Sequence, residues 1–140
     1  MERFNLLSAV HLILIKEEKI LLLRRFNTGW NDGNYTVPAG HLDEGETVTQ
    51  AVVRESLEEA GVTIKPEDLT MVHVMHRAAN RIDFFFIARA WQGNPTNAEP
   101  DKCDDLEWFP LDNLPSNMVE YVKSGIEHYQ NGKLFSEFGW

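Results

Sequence analysis

Short apolar runs separated by polar, turn-forming segments predict a series of β-strands. Residues 9–15 and 20–23 are apolar and flank the charged segment 16–19, a pattern typical of an antiparallel hairpin. The same reasoning predicts strands at residues 35–38, 69–76, 82–91 and 106–109. The consecutive phenylalanines at 84–86 indicate a strand that is buried on both faces.

Two segments have the spacing and end signals of amphipathic helices. Thr47 is placed as the N-cap of a helix that runs to Ala60, and Gly61 follows as its stop. Apolar residues near helical spacing predict a second helix at residues 117–130. The remaining segments are rich in turn formers and are predicted to be loops: 27–34, 39–46 and 92–105. The last loop is long, and loops of this length often carry function.

The size and composition of the chain fit one domain. Its 140 residues, 43% of them hydrophobic, are enough to form one core, and we predict a single domain over residues 1–140. The net charge of −9 opposes binding to a nucleic-acid polymer, because phosphate backbones are themselves negative. The single cysteine, Cys103, cannot form an intramolecular disulfide, which favours a reducing compartment such as the cytoplasm. The apolar stretch 6–15 is interrupted by Ser8 and His11, so neither a membrane span nor a signal peptide is predicted.

The first predicted helix carries an acidic face. At about 100° per residue, three carboxylates fall within one arc, and apolar side chains predicted to face the core fall opposite them. The carboxylates are Glu55, Glu58 and Glu59, and the apolar residues are Val53, Leu57 and Ala60. Like charges at these spacings cost about 0.2–0.5 kcal/mol per pair, so a cation is expected to offset them. Carboxylate oxygens without a neighbouring thiol or imidazole favour Mg²⁺ or Mn²⁺, although a charge run alone is more often a solvated helix face.

The surrounding pattern favours the metal site. Its spacing is Gly40, five residues, Glu46, seven residues, Arg54-Glu55, two residues, Glu58-Glu59, one residue, Gly61-Val62. This pattern resembles the Nudix box, the signature of the Nudix hydrolase family. Ser56 departs from it, because the family has an aliphatic residue there, and Leu57 is the candidate to supply part of the missing packing. The flanking strands and the segment 108–111 are also similar to the family, so the resemblance covers nearly the whole chain.

The resemblance implies a fold and a metal site. The expected fold is α/β, an α/β/α sandwich with a central mixed β-sheet that has the box helix on one side and the 117–130 helix on the other. The implied ligands of one or more divalent ions are the carboxylates of Glu55, Glu58 and Glu59 and the backbone carbonyl of Ala39.

The resemblance also implies residues that position the catalytic groups. Glu46 and Arg54 resemble the family's bracing pair, which holds the loop to the helix and orients Glu55. Gly40 and Gly61 are expected where the backbone turns or approaches another group closely.

The general base and the substrate contacts stay open at this point. The base is Glu55 or Glu58, or an acidic residue of the long loop, where the candidates are Glu99, Asp101, Asp104 and Asp105. Asp104 and Asp105 are also predicted to contact the substrate, and Arg24 and Arg25, at a strand end, are predicted to bind its phosphates. Four aromatic residues are candidates for stacking on a base, although core positions are more common for such residues: Trp30, Tyr35, Phe84 and Trp108.

The implied reaction is Mg²⁺-dependent hydrolysis of a phosphoanhydride in a small nucleotide, with Mn²⁺ as the alternative ion. Nucleoside triphosphates, cleaved to a monophosphate and pyrophosphate, are the leading substrate class, as in the branch of the family that removes oxidised or non-standard nucleotides. ADP-ribose hydrolases of the family tend to have a proline where this chain has Arg77-Ala78, and dinucleoside polyphosphate hydrolases tend to have a tyrosine near residues 79–81.

Two other functions are weighed against this one. Hydrolysis of nucleoside diphosphate sugars or ADP-ribose-like diphosphates is the alternative activity. A catalytically silent nucleotide sensor is disfavoured, because Glu55, Glu58 and Glu59 are all present. The expected assembly is a monomer or a homodimer.

Overall fold

A computed structural model describes all of residues 1–140 and contains eight β-strands and two α-helices. In chain order the elements are β1 (Leu7–Lys16), β2 (Lys19–Arg25), β3 (Tyr35–Thr36), β4 (Ala39–His41), α1 (Val48–Ala60), β5 (Thr70–Arg77), β6 (Arg81–Ala88), β7 (Cys103–Pro110), α2 (Glu120–Gln130) and β8 (Phe135–Phe138). A short 3-10 helix at Pro66–Asp68 leads into β5. Neither α-helix is long and apolar enough to cross a lipid bilayer.

Strand β1 lies at the centre of a mixed sheet. Along one edge it pairs in parallel with β6, from Leu7 opposite Arg81 to Leu14 opposite Ala88. Along the other edge its N-terminal half pairs antiparallel with β4, and its last residues pair antiparallel with β2. Strand β2 also pairs with β3 and β7, while β5 pairs antiparallel with β6 and parallel with β8. The predicted hairpin of β1 and β2 is confirmed.

The two helices cover opposite faces of the sheet, because neighbouring residues of a strand point to opposite sides. Val10, Leu12 and Leu14 of β1 pack in one buried cluster with residues of α1. Ile13 and Ile15 pack in a second cluster with residues of α2. Each fully buried aliphatic side chain of this kind contributes about 1.5–3 kcal/mol. The predicted α/β/α sandwich with a central mixed sheet is confirmed.

Two segments predicted to be loops are strands. Ala39–His41 forms β4, because its backbone pairs with residues 9–11 of β1, a contact that its own sequence does not favour. Strand β7 begins at Cys103, so Asp104 and Asp105 lie on a strand and not in the predicted loop. They extend the strand because they pair with the end of β2, where Arg24 lies opposite Asp105.

Other element ends also differ from the prediction. Strand β8 lies outside every predicted strand, and it forms by parallel pairing with β5, which is distant in sequence. Strand β3 ends at Thr36, β6 ends at Ala88, and α2 begins only at Glu120. Helix α2 starts late because the Tyr35 N–H donates to the Asn117 carbonyl and the Val119 N–H donates to the Tyr35 carbonyl, which holds residues 117–119 out of the helix. The strand ends are set by pairing with strands that are distant in sequence.

The close packing of α2 on the sheet depends on Gly125. Gly125 is buried within the helix, and a Cβ placed on it would overlap the Phe85 ring of β6. Phe85 is itself fully buried, so its ring has no free space into which it could move.

We expect Gly125→Ala to destabilise the protein by about 1–3 kcal/mol through overpacking. In an ordinary helix interior the same change stabilises by about 0.5–1 kcal/mol, so the two effects have opposite signs. Urea unfolding measures the difference, with Glu127→Ala on the exposed side of α2 as the control. A stabilised Gly125→Ala protein would contradict the contact with Phe85.

Candidate active site

The ends of α1 are set by local hydrogen bonds. The Thr47 hydroxyl oxygen accepts from the Gln50 backbone N–H at 3.1 Å, and the Gln50 side-chain oxygen accepts from the Thr47 N–H at 2.9 Å. This reciprocal pair is a capping box. At the other end Gly61 adopts the left-handed conformation with φ of 68°, and its N–H donates to the Leu57 carbonyl. The predicted N-cap and stop of this helix are confirmed.

The core-facing side of α1 differs from the prediction. The buried residues are Ala51, Val52, Ser56 and Ala60. Leu57 is 55% exposed, so the predictions that it faces the core and replaces packing at Ser56 are wrong, and Val53 is only half-buried. Ser56 fills the position itself, because its hydroxyl donates to the Val52 carbonyl at 2.6 Å and leaves no unsatisfied polar group.

Because Ala51, Val52, Ser56 and Ala60 are the buried side of α1, Glu55 lies against β4. The Glu55 side chain is 13% exposed, and a Cβ placed on Gly40 would overlap its carboxylate. Any residue larger than glycine at position 40 would push α1 and β4 apart or displace Glu55. The expectation of a close backbone approach at Gly40 therefore holds, and the group it approaches is Glu55.

Arg54 ties α1 to the segment that precedes it. Its Nε and Nη2 donate to the two carboxylate oxygens of Glu46 at 2.8 and 3.0 Å, and Nη2 also donates to the His41 carbonyl at 3.0 Å. Its Nη1 donates to Glu55 Oε1 at 2.7 Å and to Glu58 Oε2 at 3.3 Å. The hydrogen bonds from Arg54 lower the pKa of Glu46 to about 2. Glu46 and Arg54 thus have the fork geometry that a bracing pair requires.

Glu55 and Glu59 carry negative charge that the protein offsets only in part. Burial raises the pKa of Glu55, while its hydrogen bond with Arg54 acts in the opposite direction. Burial and the charge of Glu55 raise the pKa of Glu59 well above its ordinary range. Glu59 forms no ion pair; its carboxyl contacts that of Glu55, and its Oε2 accepts a long hydrogen bond of 3.4 Å from the Ala39 N–H.

Glu58 lines the same cavity as Glu55 and Glu59 but is more exposed than Glu55. Its side chain is 53% exposed and turns toward Arg54. No three His, Cys, Asp or Glu side chains converge on a common point that would hold a metal ion. The structure brings all four predicted ligand residues to one cavity, and Glu58 is the one whose carboxylate turns toward Arg54: Ala39, Glu55, Glu58 and Glu59.

A cavity of about 630 Å³ opens beside Glu55 and Glu59. Arg24 and Arg25 both line it, although successive strand residues normally point to opposite faces. A β-bulge between these two residues of β2 explains why both side chains reach the same cavity. The structure thus brings both predicted phosphate-binding arginines to the site.

The loop between β6 and β7 supplies Glu99 and Lys102 to the same cavity. This loop lies across the C-terminal end of α1, because the Thr96 N–H donates to the Ala60 carbonyl at 2.9 Å and the Ala98 N–H to the Glu59 carbonyl at 3.3 Å. The charge of Glu99 contributes to the raised pKa of Glu59. No feature of the sequence distinguishes Glu99 from its acidic neighbours, since only the packing of the loop on α1 selects it.

Asp104 and Asp105 do not line this cavity. Asp104 Oδ1 accepts from Arg24 Nε at 2.7 Å, so it fixes the direction of that guanidinium. Asp105 accepts a hydrogen bond from the Tyr35 hydroxyl. Both aspartates therefore contact residues at the edge of the site, and substrate contact by either one stays a prediction.

The aromatic candidates also divide between core and surface. Tyr35 is buried and Phe84 is half-buried, while Trp108 stacks on Trp91 with ring centroids 6.1 Å apart. Trp30 alone is 45% exposed, and the Arg25 guanidinium lies 4.8 Å from its ring centroid.

Comparison with known proteins identifies the family. A family model described as NUDIX domain matches residues 5–129. The chain belongs to the Nudix family. The resemblance seen in residues 40–62 is thereby confirmed.

The Nudix chain is similar to several characterised relatives. It is 35% identical to the ADP-ribose pyrophosphatase of Methanocaldococcus jannaschii over 128 residues, which are 89% of this chain and 73% of that protein. It is 30% identical to the 8-oxo-dGDP phosphatase of Homo sapiens over 116 residues, 81% of this chain. The match covers only 35% of the human protein, so the chain spans about a third of that relative's length. The crystal structure of a MutT NUDIX hydrolase from Burkholderia pseudomallei is 27% identical with a TM-score of 0.79, covering 86% of this chain and 95% of that one.

The residues of this Nudix chain fit a divalent metal ion. Glu55 and Glu59 provide hard oxygen ligands, and their uncompensated charge is what a cation would neutralise. Cys103 lines the cavity, but burial raises the pKa of its thiol, which donates to the Asp105 carbonyl at 3.2 Å. The site therefore suits Mg²⁺ or Mn²⁺ better than Zn²⁺.

We expect Glu59→Gln to raise the melting temperature of the metal-free protein at neutral pH. A carboxyl group whose pKa is raised on folding disfavours the folded state once pH exceeds its unfolded value, and an uncharged amide removes this penalty. Millimolar Mg²⁺ should raise the melting temperature of the wild type and have little effect on the variant.

Calorimetry in a chelator and in Mg²⁺ measures both effects. Glu58→Gln is the matched control, and it should leave the metal-free melting temperature nearly unchanged because Glu58 is exposed. A lower melting temperature for metal-free Glu59→Gln would contradict the account of charge at this site.

Proposed function

We propose that this Nudix chain is a divalent-metal-dependent hydrolase that cleaves a phosphoanhydride bond in small nucleotides, acting as a single domain in the cytoplasm. Nucleoside triphosphates are the first substrate class, cleaved to a monophosphate and pyrophosphate. The observation that carries the proposal is the pair Glu55 and Glu59, two carboxylates of raised pKa beside a cavity edged by Arg24 and Arg25. Carboxylates with unmet charge and facing guanidinium groups suit a polyphosphate that arrives with metal ions.

A second substrate class is supported by one comparison. The relative from M. jannaschii, of which the matched region covers 73%, is named an ADP-ribose pyrophosphatase. Nucleoside diphosphates linked to a sugar therefore stand beside triphosphates as candidates. The partner in either case is a small molecule, with Mg²⁺ as the cofactor and Mn²⁺ as its substitute, and the chain acts as a monomer or homodimer without binding a nucleic-acid polymer.

Each remaining role in the reaction is assigned to a residue near the cavity. A bound divalent ion supplies charge neutralisation at the phosphate oxygens. Glu55, Glu58, Glu59 and the Ala39 carbonyl would hold that ion, and Arg54 with Glu46 keeps Glu55 in place. Arg24 and Arg25 bind phosphate oxygens, and Asp104 acts as a positioning residue through Arg24. Glu99 accepts the proton of the attacking water, because Glu55 and Glu58 both already accept hydrogen bonds from Arg54.

The test of the activity is a panel of nucleoside triphosphates, ADP-ribose and a nucleotide sugar, assayed with Mg²⁺, with Mn²⁺ and with a chelator. We expect metal-dependent release of phosphate or pyrophosphate, with triphosphates preferred, and a loss of about two orders of magnitude in kcat for Glu59→Gln and for Glu55→Gln. Activity that persists in the chelator, or that is unchanged in both variants, would contradict the assignment of Glu55 and Glu59 as metal ligands. A preference for ADP-ribose over every triphosphate would establish the second class instead.

The role of Glu99 has its own test. We expect Glu99→Gln to lower kcat by about a hundredfold or more at neutral pH while the concentration of Mg²⁺ needed for half-maximal activity is retained. Asp101→Asn is the matched control, since Asp101 is exposed on the same loop and does not line the cavity. The pH profile of kcat should lose its acidic limb in Glu99→Gln. An unchanged pH profile would return the base assignment to Glu55 or Glu58.

A further inference from the structure

A second cavity, of about 350 Å³, adjoins the cavity that contains Glu55 and Glu59. The two share Arg25 and the three residues of β4, so a molecule held at the first cavity can extend into the second. The second cavity reaches across β1 to the hairpin of β5 and β6 and to α2, where Arg77, Arg81 and Tyr121 line it.

The second cavity is cationic in a protein whose net charge is −9. Arg25, Arg77 and Arg81 line it, and none of its lining residues is an aspartate or glutamate. Arg77 is neutralised by buried Asp83, which accepts from Arg77 Nε at 2.8 Å. Arg25 and Arg81 form no ion pair. The Arg25 guanidinium donates to the Trp30 carbonyl and the Thr28 hydroxyl, and its charge helps to lower the pKa of nearby Asp32. Arg81 is therefore the guanidinium in this cavity that has no carboxylate partner.

The aromatic side chains of the second cavity are already in contact with other groups. Trp30 and Tyr121 have ring centroids 6.3 Å apart, close enough to touch each other. The Arg25 guanidinium lies 4.8 Å from the Trp30 ring centroid, and that of Arg77 lies 3.7 Å from the Tyr121 ring centroid. No gap between the two rings is left for a flat base. The cavity thus presents guanidinium groups, and not a pair of free ring faces, to an incoming ligand.

A buried histidine forms part of the wall of this cavity. His11 lines it, and its Nε2 contacts Asp83 Oδ1 at 3.0 Å. Its Nδ1 is buried and has no hydrogen-bond partner. This atom has almost no accessible surface, so it lies behind the cavity wall, and the guanidinium groups are the polar atoms that a ligand would meet.

We propose that the second cavity binds an additional anionic group of the substrate, a phosphate monoester remote from the phosphoanhydride that is cleaved. This inference rests on the proposed function, because it assumes that the diphosphate lies at Glu55 and Glu59. The second cavity would therefore favour nucleotide derivatives that carry a phosphate monoester on the part of the molecule that extends past β4. Arg81, which has no other anionic contact, is the specificity-determining residue, and Arg25 joins the two cavities.

Two matched pairs of compounds test the proposal, because the members of each pair differ only by one remote phosphate. They are ADP-ribose with its 2′-phosphate, and dephospho-coenzyme A with coenzyme A. We expect kcat/KM to be about tenfold higher for the phosphorylated member of at least one pair, through KM and not kcat. Arg81→Gln should abolish this preference. Arg81→Lys should retain part of the preference, because the lysine ammonium keeps the positive charge but cannot donate two parallel hydrogen bonds to a phosphate.

Arg89→Gln is the matched control, since it removes one charge at an exposed arginine that lines neither cavity and should leave the preference intact. Titration calorimetry of the full chain with the same four compounds provides a readout that does not need turnover. Equal affinity within both pairs, or a preference that persists in Arg81→Gln with an unchanged melting temperature, would overturn the inference. Binding preference without hydrolysis of these four compounds or of any nucleoside triphosphate would overturn the proposed function and leave the anion site standing.

Discussion

The close approach of α1 to β4 is the constraint on which the rest of the site depends. It needs Gly40, because any side chain there would occupy the space of the Glu55 carboxylate. It also needs the small buried side of α1 at Ala51, Ser56 and Ala60, which lets the helix lie near the sheet. Once the helix is in this position, two carboxylates that would otherwise be solvated are held at the edge of the core. Their pKa values rise as a direct result.

Where α1 meets β4, the carboxylates differ in how far a positive charge offsets them. Arg54 donates hydrogen bonds to Glu46, Glu55 and Glu58, whereas Glu59 forms no ion pair and contacts the Ala39 N–H and the Glu55 carboxyl. The bracing pair therefore makes the segment before α1 rigid, while the charge of Glu59 is left for a cation. An ion that binds between carboxylates of like charge stabilises the folded protein. Metal binding and folding stability are therefore linked. The same reasoning underlies the anion site proposed beyond β4, where Arg81 has no carboxylate partner.

Much of the site was predictable because it is encoded locally. The spacing of residues 40–62 identifies the family, and the caps at Thr47 and Gly61 set the limits of α1. The resemblance to the family also implied the pairing of Glu46 with Arg54, and their fork geometry agrees with it. Two local inferences failed, since the buried side of α1 was assigned to Val53 and Leu57. Helical periodicity alone does not say which of two adjacent stripes faces the sheet when small residues such as Ala and Ser occupy one of them.

The sequence by itself determined the class of fold, the two helices, the principal strands and the carboxylates of the box, because these depend on periodicity and on motifs within about 25 residues of chain. Only the tertiary structure decided that β4 and β8 are strands, that Glu99 and not Asp104 or Asp105 lines the cavity beside Glu59, and that Arg25, Arg77 and Arg81 meet. Each of these is a contact between segments far apart in the chain. Backbone pairing and loop packing create such contacts without requiring particular residue types, so no local pattern records them.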